Sequence, residues 1–469
     1  MSTTVQAPVL VVGAGPVGLT LALDLAWRGI DVIVVETRPC GEPPPAKCNH
    51  VSARTMEIYR RLGIAGEIRN AGLPGDYPND VSFRTTFTGI ELARIPIPCR
   101  NDRYSATDGP DTGWPTPEPP HRINQIYLEP ILSERAAATA EISLYWHTEF
   151  KSLLQNETGV TATLQSIDSG ETVRARCDYL VGCDGGSSTV RRSIGSRFGG
   201  DAVLQRCQSS FIRSETLIRM QSEAAAWSTI SLNPRRSGNV YAIDGKELWI
   251  IHNYLREEET DFDSVDRDHS IRMILGVDDL FRYDTLAHED WIGRRLVADR
   301  FRDRRVFICG DAAHIWVPYA GYGMNAGIAD AANLSWLLAA HLNGWADGAV
   351  LDAYECERLP IPDQVSRFVM THTHAMVRQR RAVPDEIETA GTAVDALRRE
   401  IGQHAYDLNV RQYCAAGLNF GYFYDASPII SHETQVAPAY SMASFTPSTV
   451  PGCRPVSYTH LTLPTSDLV

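Results

Sequence analysis

The 469-residue chain has no Cys-x-x-Cys pair, no Cys/His ligand spacing, no basic arm, no long block of like charge and no internal repeat. Each absence removes a class of function. Ten scattered cysteines without paired spacing exclude a zinc module and a disulfide framework, and read as small buried hydrophobes in a reducing compartment. A net charge of −13 argues against nucleic acid and against an anionic membrane surface. The N-terminal apolar stretch is broken by glycines and by Asp24 and lacks a basic leader, so it reads as neither signal peptide nor membrane span. The expectation is a cytoplasmic enzyme of two or three domains, with no metal, no nucleic acid and no membrane partner.

What the sequence does have begins at Val9. The stretch to Glu36, VLVVGAGPVGLTLALDLAWRGIDVIVVE, reads as one strand–turn–helix–strand unit. Gly13, Gly15 and Gly18 occupy the three glycine places of a dinucleotide fingerprint: tight turn, close approach of a pyrophosphate, and closure of helix onto strand. The helix beginning near Pro16 would offer free N–H groups to the phosphates, with Leu21 and Leu25 as its inner face. Glu36, roughly twenty residues after the turn, can accept from ribose hydroxyls.

Beyond it, a proline-rich loop from Pro39 to Pro45 precedes a helix expected from Ser52, a good N-cap, to Leu62. Arg54 lies in the first turn of that helix, a poor place for a cation unless an anion faces it. The segment DGPDTGWPTPEPP is too long for a plain connection and reads as a lid or crossing segment. Asp178 to Arg191 repeats the strand, tight acidic-Gly turn and helix. The character then changes to antiparallel β, with a hairpin turning at Asp244-Gly245, until Val306–Cys309 returns to a buried strand. A long apolar helix from about Met324 follows a glycine-rich turn.

Taken together, GAGPVG with Glu36, then CDGGSSTVR, then ICGDAAHIWVPYAGYGMNAGIADAANLSW resemble the FAD-dependent aromatic hydroxylases, single-component flavoprotein monooxygenases of the phenol and hydroxybenzoate hydroxylase type. The resemblance covers about residues 5 to 450. It implies FAD and NAD(P)H as cofactors, and a small aromatic substrate, phenolic or polyketide-like, with dioxygen as partner. A homodimer is left open. In that family the Asp184-Gly185 turn serves FAD and the nicotinamide, with an arginine at the Arg191 place; as a bare sequence position, Arg191 reads as a helix-surface charge. The Gly310-Asp311 carboxylate holds the ribityl chain, and Pro318, Gly321, Gly323, Met324 and Asn325 match the loop along the flavin ring. Arg38, Arg54 and Gln125 match further FAD contacts. The chemistry implied is hydride transfer to FAD, capture of dioxygen as a flavin hydroperoxide, and hydroxylation of an ionised phenol.

Two places depart from the family. Val317 and Ala320 stand where it has proline and glycine, so the loop is bulkier. Asn49 stands where phenol hydroxylases carry an aspartate, and an amide orients but does not take a proton. His50 beside it has a suitable ordinary pKa, although a histidine before a helix is also a common cap. His314 reads as structural, while Tyr241, Trp249, His252 and Tyr254 alternate on the inserted sheet so that some face the pocket. Two other readings share these motifs. A halogenase or reductase of related fold is opposed by the lack of a WxWxIP segment; a flavin-holding binding protein without turnover draws support from Asn49.

The fold class expected is α/β, a Rossmann-like FAD-binding domain with an inserted α+β antiparallel-sheet substrate domain. The FAD domain is assigned to 1–80, 105–195 and 300–350, and the substrate domain to 81–104 and 196–299. A helical segment spans 351–430 and an extended tail 431–469. Within the tail, 456–469 has no period and resembles translated adapter sequence, so it is expected to be non-native, standing where relatives continue into a thioredoxin-like domain.

Overall fold

A computed structural model describes residues 4–221, 225–316, 321–432 and 434–455; Val317, Pro318, Ala320 and the segment 456–469 lie outside them. The strand Val9–Val12 is the middle of a six-stranded sheet, in the order 302–303, 306–308, 179–182, 9–12, 32–35, 142–145. All its pairings are parallel except that of the short edge strand Arg302–Asp303. Val9–Val12, Val32–Val35 and Tyr179–Gly182 are buried along their whole length, as strands covered by helices on both faces must be.

The helix Pro16–Trp27 is more deeply enclosed than an inner face of Leu21 and Leu25 suggests: every residue from Gly18 to Ala26 is buried. The helix Gly323–Leu342 packs along it, and Ala53–Arg61 reaches it through Tyr59 and Arg61. Asp24, which interrupts the apolar run in the sequence, is fully buried and accepts from Arg61 at 2.7 Å and from Ser335.

The second body is an eight-stranded sheet, in the order 314–315, 284–298, 198–213, 248–254, 238–242, 228–231, 81–84, 91–95. It is antiparallel except where Val81–Arg84 runs parallel to Ser228–Ser231, which joins the earlier inserted segment to the later one. Its core centres on Trp249, 1% exposed, whose ring meets Phe87 edge-on at 5.5 Å. Burying such a side chain contributes about 1.5–3 kcal/mol, and the edge-on geometry adds about 0.5–1.5 kcal/mol. Val383, Ile387, Ala405 and Tyr413 from the C-terminal helices share this core. A third sheet of four strands, ordered 4–6, 172–177, 160–166, 148–155, completes the β structure.

Two expectations change. The proline-rich stretch is a pinned strap, not a lid: Glu118 accepts from Arg69 at 2.9 Å and Arg60 at 3.1 Å, while Asp111 accepts from Arg103 at 2.7 Å. Carboxylates held by buried cations fix a segment that has no secondary structure of its own. The cysteines are all free, but only Cys177, Cys207 and Cys309 are buried; Cys40 and Cys356 are exposed because they fall on a loop and on the outer side of a helix. Among the described residues no helix is long and apolar enough to cross a membrane, and no group of His, Cys, Asp and Glu could hold a metal ion.

Candidate active site

Gly13 has φ +104, and a Cβ there would lie 2.4 Å from the Cys183 carbonyl oxygen. A Cβ on Gly18 would lie 2.0 Å from the Gly13 oxygen, whereas one on Gly15 would meet nothing within 4 Å. The first and third glycines are thus consumed by packing, and the second leaves open space at the start of the helix. Glu36 accepts from Ala14 N at 2.7 Å and from Arg38 N at 3.0 Å, closing the turn from the other side. Arg38 also pairs with Glu129 at 2.6 Å, and Gln125 donates to the same carboxylate at 2.8 Å.

A cavity of about 340 Å³ runs beside Glu36, Arg38, Gln125, Glu129 and Asp184. A second, of about 430 Å³, is lined by Asn49, His50, Asp311, Gly321, Gly323 and Met324. Gly15, Pro45, Gln125 and Cys183 line both, so the two form one trough from the nucleotide fingerprint to the glycine-rich loop. FAD fits this trough. Gly15 leaves room for a pyrophosphate, and Asp311 opens into the cavity with no hydrogen-bond donor among the described residues, as a carboxylate awaiting hydroxyls should. Burial in the surrounding protein raises the Asp311 carboxyl above its ordinary pKa.

The helix Gly323–Leu342 points its N-terminus at this cavity. Asn325 fixes the approach by donating to Gly321 O at 2.6 Å and His50 O at 3.1 Å, while its own oxygen accepts from Ser52 N. Gly321, at φ +59, lies against His50: a Cβ there would come 3.0 Å from the His50 Cβ and 3.3 Å from its ring Nδ1. Asn49 accepts from Asn124, the N-cap of the helix Gln125–Ala137. His314 is buried and pairs with Asp330 at 2.6 Å, which also takes Arg358 at 2.7 Å and Gly310 N at 3.1 Å. Burial pushes against ionisation of Asp330, but His314 and Arg358 outweigh it and hold the carboxyl below its usual range.

Three anticipated residues are placed elsewhere or otherwise occupied. Asp184 caps the short helix Thr189–Ser193 through Thr189 N at 2.7 Å and Val190 N at 3.1 Å. Arg191 is no surface charge: it is 7% exposed, lies 3.6 Å over Phe198, and donates to Ala312 O at 3.0 Å and Gly186 O at 2.9 Å. Arg54 is set apart from the trough, over the Tyr422 ring in a different cavity with Glu57, Asn333 and Glu357.

Of the four inserted-sheet residues expected to alternate, Tyr241, His252 and Tyr254 line the inner end of the trough and Trp249 does not; Trp227 and others that the sequence did not single out complete it. Trp227 and Tyr241 meet at 5.3 Å and Tyr241 and His252 at 5.4 Å, making an aromatic wall that Trp291, 5.8 Å from His252, backs from a neighbouring cavity. Arg122, Gln412, Tyr413 and Trp316 face the same space. His252 Nδ1 is buried with no hydrogen-bond partner among the described residues, and burial pushes the imidazole down to about 4, so it is neutral near pH 7. No local motif marks these positions; only the alternation of the inserted-sheet strands hinted at Tyr241, His252 and Tyr254.

Residues 6–369 match the model of the family described as FAD binding domain. The chain belongs to the FAD-dependent aromatic monooxygenases. It is 33% identical to a putative polyketide hydroxylase of Streptomyces halstedii, over 77% of this chain and 64% of that one. It is 28% identical to an FAD-dependent monooxygenase of Emericella nidulans, over 95% of this chain and 74% of the relative. The rebeccamycin biosynthetic enzyme RebC with reduced flavin superposes with a TM-score of 0.85 at 30% identity, covering 97% of this chain and 82% of that one. The α/β architecture with a sheet-built second body is that of these flavoprotein monooxygenases.

Proposed function

We propose that this monooxygenase hydroxylates a phenolic or polyketide-like aromatic ring, with NAD(P)H as reductant and dioxygen as co-substrate. The observation that carries the reading is the trough itself, which leads from Gly15 past Asp311 and the Gly323 helix start into a chamber walled by Trp227, Tyr241 and Trp316. Bound FAD would supply the redox chemistry, in which the two electrons of NAD(P)H and dioxygen put one oxygen atom on the ring and release the other as water. The chain's part is binding, orientation, exclusion of water and movement of one proton. Gly13 and Gly18 set the phosphate turn, Glu36 closes it, and Asp311 accepts from the ribityl hydroxyls. The first-turn amides of Gly323 and Met324 favour negative charge on the flavin ring.

His50, fixed against Gly321, takes the phenolic proton on an imidazole nitrogen, and Asn49, oriented by Asn124, positions the hydroxyl. Arg191 acts as a positioning residue that clamps the Gly186 turn to Ala312 beside Asp311, since both arms of its guanidinium are occupied. The test is a panel of phenols screened for stimulated NAD(P)H oxidation, with product mass checked for one added oxygen. Protein that takes up no FAD, or oxidises NAD(P)H without oxygenated product on any phenol, would overturn the reading.

A further inference from the structure

Arg122 is 5% exposed, faces the chamber, and among the described residues makes one hydrogen bond, to Tyr413 O at 3.4 Å. No carboxylate pairs with it among the described residues. The nearest acid, Asp111, is taken: one oxygen accepts from Arg103 at 2.7 Å and the other from Trp114 Nε1 at 2.9 Å. Asp111 is thus committed to Arg103 and Trp114, and the Arg122 guanidinium keeps its positive charge against the chamber wall. Trp227, with the Arg122 Cζ 4.5 Å over its ring, supplies some compensation, but a ring face donates far less than an oxyanion. The remaining N–H donors of Arg122 open onto the chamber, where a ligand oxygen can take them.

We propose that Arg122 is a specificity-determining residue that receives an anionic oxygen of the substrate, a carboxylate or an ionised phenol. This rests on the monooxygenase reading and narrows its substrate class from aromatic compounds to aromatic anions. The geometry gives the substrate a direction, because Arg122, Trp227, Tyr241 and His252 follow one another along the wall. The anionic end meets the guanidinium, and the ring lies along the aromatic wall towards neutral His252. A phenol held this way ionises more easily, which lessens the demand on a protein base where Asn49 replaces a carboxylate.

The test uses FAD-loaded protein and matched isosteres, with binding read from perturbation of the flavin spectrum. Para-nitrobenzoate is compared with its methyl ester, and para-nitrophenol with para-nitroanisole. A hydrogen bond to a charged group sets the expected preference for the anion at about 10- to 100-fold. The apparent pKa of bound para-nitrophenol should fall below its value in water. In Arg122→Gln the anions should lose that preference while the ester and ether bind as before; Arg122→Lys should keep part of it. Preference in the benzoate arm alone assigns a carboxylate, and preference in the phenol arm assigns a phenolate; either supports the proposal. Equal affinity of anion and isostere in the unaltered protein, or a preference that survives Arg122→Gln, would overturn it. The first of these needs no variant, so a substitution that failed to fold would leave the test intact. Failure of the monooxygenase reading would look different: anions would bind selectively yet yield no oxygenated product.

Discussion

The glycine fingerprint makes its sharpest prediction by comparing two substitutions that look alike in the sequence. Ala at Gly18 would place its Cβ 2.0 Å from the Gly13 oxygen and 3.3 Å from Cys183 Cβ, so helix and strand must part by an ångström or more. Overpacking of this kind costs about 1–3 kcal/mol. At about 2–4 °C per kcal/mol, as for a domain of 150–250 residues, the cofactor-free protein should melt several degrees lower. Ala at Gly15 meets nothing within 4 Å and inherits a φ of −73, which any residue adopts, so cofactor-free stability should change by less than about 1 kcal/mol. Yet that same open space is where a pyrophosphate must approach. Losing one charge-assisted hydrogen bond of about 2 kcal/mol weakens FAD roughly 30-fold. The assay is paired: melting of stripped protein, and FAD affinity by fluorescence quenching. A Gly15→Ala protein that binds FAD as tightly as the parent would refute the placement of the phosphates, whatever Gly18→Ala does.

Asp311→Asn should lower FAD affinity without lowering the stability of the stripped protein. A carboxyl raised by burial disfavours the fold at neutral pH, and the amide relieves that cost; stripped protein that melts markedly lower would contradict this. Arg358→Met should cost up to about 3 kcal/mol, read as a lower urea midpoint, because it leaves the buried Asp330 with only His314 and the Gly310 amide as partners among the described residues. The depressed Asp330 pKa means the pair's contribution is full above the unfolded value of about 3.9 and fades as pH falls through the folded one, so that part of the acid sensitivity should shrink in the variant. His50→Ala should lower product formed per NAD(P)H consumed and move the optimum to higher pH, with general-base help worth about 10²–10⁴-fold; an unchanged pH profile with full coupling would remove His50 from the proton path. Arg191→Met should loosen FAD by releasing the clamp on Gly186 and Ala312, and tight FAD with slower reduction by NAD(P)H would instead mark a direct nicotinamide contact.

The fingerprint was legible because its parts are local. Two strands, a helix, three glycines and Glu36 fall within 28 residues, and each constrains its neighbours through backbone geometry. The same holds for the Asp244-Gly245 turn and for Ser52, whose side chain caps its helix by accepting from Thr55 N. What was not legible depends on partners far away in the chain. Arg54 looked like a cation awaiting a phosphate, but Tyr422 covers it from more than 360 residues on. Arg191, matched to the family's arginine near the nicotinamide, gave no sign in its own segment of the carbonyl it binds, because Ala312 belongs to another strand–turn unit. The proline strap looked like a lid because nothing nearby announces Arg60 and Arg69 as anchors for Glu118.

The chamber shows why its residues resist prediction while the cradle does not. A cradle for a large cofactor can be built at the end of one sheet, where successive strand-to-helix turns meet and each turn carries its own motif. A chamber for a small ring must be closed on all sides, and here each wall comes from a different body. Met324 and Gly321 belong to the FAD sheet's long helix and loop, Tyr241 and His252 to the eight-stranded sheet, Arg122 to the end of the strap, and Tyr413 to a C-terminal helix. Apart from the Gly321 loop, which has positive φ and carries its own motif, these segments contribute side chains from ordinary backbone, so nothing local marks them. Their identities answer to the ligand alone. That is why an arginine with no carboxylate partner among the described residues is more informative here than any glycine: its charge faces the chamber, and the proposed substrate anion would answer it.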